Sequence, residues 1–390
     1  MTEMPANPGR AAGKLVGIAA LVAASLAMAV LLAEVSVRIL APQQLILIRP
    51  DLWQPADTVG WAHRPDVSVR INTGERAVTV FTDHQGFRVG KDGPTKAATE
   101  VLLLGDSFME ALQVEHEETT AYLLERTLSR LLARPVGVRN AGVVGWDPNQ
   151  YLLRARQLLE QNRFALVVVA IFVGNDAVSE RVDYMRPRAP VRRAQFRFPR
   201  SLSRADVVDA LFAPVNDGLE VRSHLYTLLK HQLSVLRMRL GLTAQYFPVE
   251  YLASEVNSPR WRVTADLSRD LAGLAAQHGA PTLFVLIPYH FQVYEQAFYE
   301  YVRGFGIAVE TVDIDQPSRR LYQELAARGL EVIDALPSFR AAARAGTQLF
   351  GSVDTHLSPA GHAQLAELVG PRAARLLSPT PSRHGGRTSW

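Results

Sequence analysis

Three residues of this sequence have the types and places that acyl transfer requires. Ser107 follows the apolar run Val101 to Leu104 through Gly105 and Asp106. A serine just past a strand presents its hydroxyl at the strand's carboxyl edge. Its backbone N–H then sits at a helix start, where negative charge is favoured. Gly105 permits the tight turn. His356 lies in the segment Asp354-Thr355-His356, just before a helix with Pro359 in its first turn. A histidine can take the serine proton as general base and return it as general acid. Asp354 can orient the ring and stabilise the imidazolium. Each residue also has a plainer reading: Ser107, Asp354 or Ser358 as a helix cap, and His356 as a surface residue.

Two further segments offer hydrogen-bond donors. Asn140 to Trp146 closes a second strand candidate and holds Gly142 and Gly145. Glycine there lets backbone N–H groups face a site with no side chain in the way. Gly174-Asn175-Asp176 closes a third run. The Ser107 N–H, the Gly145 N–H and Asn175 Nδ2 together would form an oxyanion hole, worth a few kcal/mol per donor. Ordinary strand-to-helix and asparagine turns are the alternatives.

The elements that must position these residues alternate in type. Strands are expected at Val67–Ile71, Val78–Phe81, Val101–Leu104, Val136–Asn140, Ala165–Phe172, Thr282–Ile287 and Glu331–Ile333. Helices are expected at 117–133, 149–161, 264–278, 319–328 and 359–376. That alternation predicts an α/β domain with a parallel sheet, whose active site lies outside the strands' carboxyl ends. Every candidate above falls just after an apolar run or before a helix. Residues 34–97 read as a linker and short β-rich preamble, 98–377 as the α/β domain, and 179–262 as an insertion within it. His224 to Leu240 has helical periodicity, and Arg181, Arg186, Arg188, Arg192, Arg193, Arg197, Arg200 and Arg204 crowd the insertion. The cluster suits anionic headgroups, an acidic polysaccharide or plain solvent. The polar tail 378–390 is expected to be disordered.

Leu15 to Ala33 is uncharged, close to the roughly 20 residues of a membrane helix. Arg10 and Lys14 precede it, so residues 1–14 are expected in the cytoplasm and the bulk of the chain outside. An uncleaved signal anchor over 15–33 is the expectation. A signal peptide cleaved after Ala27-Met28-Ala29 and a buried core helix are the alternatives. The chain's 390 residues, 48% of them hydrophobic, suffice for a large core. Zero cysteines exclude disulfides, thiolate nucleophiles and a cysteine-borne lipid. A net charge of +4 gives no case for nucleic acid.

Other signals are discounted. His116-Glu117 opens like a zinc-protease motif, but Thr120 stands at the second histidine's place. Asp313 and Asp315 read as a capping loop rather than a metal site. His362 reads as a helix-face residue, and Tyr289 and His290 as possible pocket lining. No phosphate loop, dinucleotide fingerprint or glycine-flanked serine elbow is found.

In order along the chain, these segments resemble the blocks of the SGNH (GDSL-like) hydrolase family. Gly105-Asp106-Ser107 resembles the first block, Gly145 and Asn175 the glycine and asparagine of the next two, and Asp354 with His356 the last. The resemblance covers about residues 98 to 375. Gly60-Trp61, His63, Pro65, Thr82 and Gly86-Phe87-Arg88 look like the lead-in of single-pass bacterial members. The family implies a three-layer flavodoxin-like domain with a central parallel sheet, preceded here by one transmembrane helix. It also implies a Ser-His-Asp mechanism without metal or other cofactor, and an ester-bearing glycan or lipid as substrate. The family usually places two residues between aspartate and histidine, whereas only Thr355 stands between them here. That spacing resembles the Asp-Thr-His run of alginate-type polysaccharide O-acetyltransferases. That spacing favours acetyl transfer to or from a glycan, while the family as a whole implies ester hydrolysis; hydrolysis is the expectation, with glycan O-acetylation at the same site or an inactive glycan-binding module as alternatives.

Overall fold

The computed structural model describes residues 8–43, 45, 49, 51–178, 181, 215, 218–219, 222–239, 259–296, 298–299, 308–352 and 354–378. Most of the arginine cluster and the tail from 379 lie outside the described residues. The chain divides into two compact units, Met1–Leu47 with Pro199–Thr243, and Ile48–Phe198 with Ala244–Trp390.

The first unit holds helix α1 (Pro8–Leu40). Its stretch Val16–Leu40 is apolar and long enough to cross a membrane, and none of it is buried by the protein. The helix does not stop at Ala33, where the linker was expected to begin. Glu34 and Arg38, one turn apart, pair at 2.6 Å and carry it on to Leu40. Glu34 also accepts from Ser223 Oγ and from the His224 and Leu225 amides. It thereby satisfies the amino-terminal donors of a second helix, His224–Arg239, close to the expected span.

The second unit begins with a hairpin, β1 (Trp53–Ala56) and β2 (Gly60–His63). Next come β3 (Ser68–Asn72), β4 (Ala77–Thr82), β5 (Arg88–Val89) and β6 (Thr99–Leu104). A four-residue helix, α2 (Ser107–Glu110), precedes α3 (Thr120–Leu132), β7 (Val136–Asn140), α4 (Pro148–Gln161) and β8 (Leu166–Phe172). The final run is α6 (Arg260–Gln277), taking His224–Arg239 as α5, then β9 (Thr282–Ile287) and the short α7 (His290–Val293). It closes with α8 (Gln316–Ala327), β10 (Val332–Asp334), α9 (Leu336–Arg344) and α10 (Pro359–Leu377).

Eight strands form one sheet in the order β10-β9-β8-β6-β7-β5-β4-β3. The run from β10 to β7 is parallel, as expected. Beyond β7 the sheet continues antiparallel through β5, β4 and β3. The sheet is therefore mixed, and the preamble is part of the domain rather than a linker. Side-chain alternation builds the three layers. Val101 and Leu103 of β6 meet Leu124 and Leu128 of α3, Phe339 of α9 and Val369 of α10. Leu102 and Leu104 face the other way, toward Leu158 of α4, Leu271 of α6 and Leu325 of α8. Truncating a core leucine such as Leu103 to alanine costs about 2–5 kcal/mol.

Candidate active site

The turn after β6 forces Ser107 outward. An added Cβ at Gly105 would lie 2.5 Å from Met109 Cγ, so the turn takes only glycine. Asp106 is fully buried, and its Oδ1 accepts the Phe108 amide at 2.9 Å. Asp106, not Ser107, is thus the cap of α2. Phe108, Met109 and Glu110 are buried beneath the helix, which leaves Ser107 as its partly exposed residue.

A tight loop before α10 carries the other two groups. It is pinned by the Gly351 amide on the His356 carbonyl, 2.9 Å, and the Ser358 amide on the Leu349 carbonyl, 2.9 Å. The Ser358 hydroxyl accepts the Gly361 amide and caps α10, so neither Asp354 nor His356 serves as cap. His356 Nε2 lies 2.7 Å from Ser107 Oγ, and its Nδ1 lies 2.5 Å from Asp354 Oδ1. A carboxylate only accepts, so Nδ1 carries the proton and Nε2 is left to accept from the serine hydroxyl. The remaining Asp354 oxygen accepts from Gln113 Nε2 at 2.8 Å.

The charges follow from this wiring. Burial opposes ionisation of Asp354, yet hydrogen bonds from His356 and Gln113 and the nearby imidazolium outweigh it and hold the carboxyl below its ordinary value. Burial also disfavours the His356 cation, but the bond and charge of Asp354, aided by Asp106 and Glu110, raise its pKa. Burial lifts Asp106 to about 6 against the pull of the Phe108 amide and His356.

Gly145 and Asn175 follow β7 and β8, the two strands that flank β6, so the three expected donors stand at neighbouring strand ends. Both are exposed. Gly145 is left-handed, with φ of 71°. Among the described residues, no acceptor takes the Ser107 or Gly145 amide.

Several functional neighbours carried no role in the sequence reading. Gln113 has no motif of its own, and Asp106 stands inside Gly105-Asp106-Ser107 with no role read from it. Glu110 is fully buried. Its Oε1 takes Trp53 Nε1 at 2.7 Å and pairs with His63 Nε2 at 2.6 Å, and its Oε2 takes the Val144 amide at 2.9 Å. Trp61, His63 and Arg88 belong to the lead-in segments quoted above, which were a signal without a place.

The discounted groups are accounted for. His116 stacks edge-on to Tyr122, and burial, with Arg88 nearby, lowers it to about 4. Asp313 pairs with Arg319, and Asp315 takes Arg340 in two bonds of 2.7 and 2.8 Å. His362 lies on the buried face of α10; its Nδ1 meets Thr120 Oγ1 at 2.8 Å, and burial lowers it to about 3. Tyr289 stacks on Phe172 at 5.6 Å, and His290, lowered to about 4 by burial, stands beside it.

No protein-family model matches the chain, and no curated protein matches it by sequence. Solved structures do resemble it. TesA shares 16% identity at a TM-score of 0.36, over 71% of this chain and 99% of its own. A member of the lipolytic G-D-S-L family from Veillonella parvula shares 10% at 0.35, over 70% and 96%. An acetylxylan esterase of Geobacillus stearothermophilus, solved as a catalytic mutant, shares 12% at 0.36, over 73% and 97%.

Proposed function

We propose that this chain is a serine esterase, anchored in a membrane by α1, that removes an O-acetyl or other short acyl group from an envelope glycan or lipid. The observation that carries the reading is the continuous hydrogen-bonded series Ser107, His356, Asp354, with no other partner on the two imidazole nitrogens among the described residues. His356 Nε2 takes the Ser107 proton as Oγ attacks the ester carbonyl. The oxyanion is held by the Ser107 and Gly145 amides and the Asn175 side chain. The imidazolium returns its proton to the leaving alcohol, and the C–O bond breaks to leave an acyl-serine. Water, deprotonated by His356, then attacks the acyl carbon; the bond to Ser107 Oγ breaks, the imidazolium returns its proton to Oγ, and the acid is released.

Arg10 and Lys14 before the apolar stretch favour an outward-facing catalytic unit, in the bacterial periplasm or outside the cell. The experiment is hydrolysis of p-nitrophenyl acetate by the chain from residue 41 onward, with Ser107→Ala and His356→Ala beside it. Loss in both variants, with folding retained, is expected. Full activity in Ser107→Ala would remove the serine mechanism. Acetyl transfer to a sugar hydroxyl in preference to water would redirect the same chemistry to O-acetylation.

A further inference from the structure

The hairpin β1–β2 lies far from Ser107 in sequence, yet its side chains close on the loop that holds Gly145. Trp61 Nε1 donates to the Val144 carbonyl at 2.9 Å. The Val144–Gly145 peptide is trans, like every described peptide bond, so its N–H points opposite to its C=O. Anchoring the carbonyl on Trp61 therefore aims the Gly145 N–H to the side away from Trp61. The preceding amide, that of Val144, is held by Glu110 Oε2 at 2.9 Å. Trp146 Nε1 donates back to the Trp61 carbonyl at 3.0 Å, which ties the loop to the hairpin in both directions. The Trp61 ring also stands 3.4 Å from where a Gly145 Cβ would be.

Glu110 is fixed in turn. It ends the helix that Ser107 begins, and the hairpin's Trp53 and His63 both reach its other oxygen. His63 Nδ1 meets the Gly86 carbonyl at 3.0 Å, an atom that can only accept, so this nitrogen carries a proton. One carboxylate thus joins three separated segments: the hairpin, the nucleophile helix and the Gly145 loop.

We infer that Trp61 and Glu110 are positioning residues that orient the Gly145 amide for the transition state, which makes the hairpin part of the catalytic apparatus. The inference rests on the serine-esterase reading above. A backbone donor aimed in advance lowers the barrier because no reorganisation is needed at reaction, and losing one such donor costs roughly 10²–10³ in kcat. Misaiming it costs less, on the order of tenfold or more.

The test uses Trp61→Phe, which removes the indole N–H donor and trims the bicyclic ring to a phenyl, and Glu110→Gln, which keeps the size but exchanges one acceptor oxygen for an amide donor. In both, kcat for p-nitrophenyl acetate is expected to fall about tenfold or more with KM within about twofold, while the wild-type melting transition is largely kept. Hydrogen exchange of the peptide spanning 141–147 is expected to speed up in both, with the hairpin also loosened in Glu110→Gln through Trp53 and His63, and exchange in β6, β8 and β9 unchanged. Wild-type kcat in either folded variant, or unaltered exchange in that peptide, would overturn the inference. Should the parent chain or Ser107→Ala show that no serine esterase is present, the esterase reading fails instead. Exchange then still reports whether Trp61 and Glu110 hold the loop.

Discussion

Asp354 and His356 are two residues apart, and the carboxylate nevertheless meets the ring. One oxygen accepts both the His356 backbone amide, at 3.1 Å, and its Nδ1, at 2.5 Å. The turn that brings the backbone amide onto the aspartate is the same turn that swings the imidazole over it. A single intervening residue, Thr355, is therefore enough, because the loop is tightly closed by the Gly351 and Ser358 amides. The short spacing is compatible with the triad and gives no support to an inactive site.

The same pair sets the pH dependence. His356 must be neutral to accept the Ser107 proton, and Asp354 stabilises its cation, so its pKa lies above the ordinary 6.5. Activity is expected to rise with pH through that raised value. Asp354→Asn removes the carboxylate charge, so the midpoint of kcat/KM against pH moves down while the plateau falls. A midpoint that stays put would separate His356 from Asp354. Stability has two limits. The contribution of His356 is complete below its unfolded value and is lost as pH rises through the raised folded one. That of Asp354 is present above its unfolded value and is lost as pH falls through the lowered one.

Arg88 is expected to matter for stability out of proportion to its place in a two-residue strand. It is buried and donates to the carbonyls of Glu110 at 2.5 Å, Val114 at 2.6 Å, and Ala111. Burial lowers its pKa to about 10 although Glu110 and three further glutamates favour the cation. Arg88→Met leaves these carbonyls unpaired in a dry site, at an expected cost of about 3–5 kcal/mol. Arg88→Lys should recover little, since one ammonium does not reproduce the planar fork. Urea unfolding of the three proteins measures this, and equal midpoints would contradict it.

Gly142 and Gly273 should respond oppositely to alanine. A Cβ at Gly142 would fall 2.5 Å from the Glu110 nitrogen and 2.7 Å from the Met109 carbonyl carbon, both backbone atoms of the nucleophile helix. Gly142→Ala is expected to cost about 3 kcal/mol and to reduce turnover, because the loop and α2 must part. Gly273 lies exposed in α6 with nothing within 4 Å of its added Cβ. There alanine should stabilise by about 0.5–1 kcal/mol with no effect on turnover. Thermal melts of both variants give the comparison.

What could be read from the sequence was local. The buried runs of β6, β8 and β9 and the spacing of α3 and α10 are periodic signals within single elements, and Ser107, Asp354 and His356 each sit at an element boundary. The supports were not legible because no local pattern encodes them. Gln113 meets Asp354 across 241 positions, Trp61 meets Val144 across 83, and His63 meets Glu110 across 47. The hairpin β1–β2, with Pro55 inside it and Gly60 at its turn, reads as punctuation until its partners are seen. The helix α9 has no such signal, because nine residues beginning Leu336-Pro337 give too short a periodic stretch.

The structure also revises where the functional domain begins. A chain starting at residue 98 keeps Ser107, His356 and Asp354 but loses the hairpin and β3 to β5. It leaves Glu110 without Trp53 and His63, the Val144 carbonyl without Trp61, and three buried carbonyls without Arg88. It also strips β7 of the neighbour paired at Asn140, opening a strand edge to aggregation. Such a chain is expected to be insoluble or to melt without cooperativity, unlike the full chain. Supplying residues 48–97 as a separate chain should restore soluble protein if the preamble acts through these contacts. A soluble chain from residue 98 with the turnover of the longer one would show that the preamble is dispensable and that the supports assigned to it lie elsewhere.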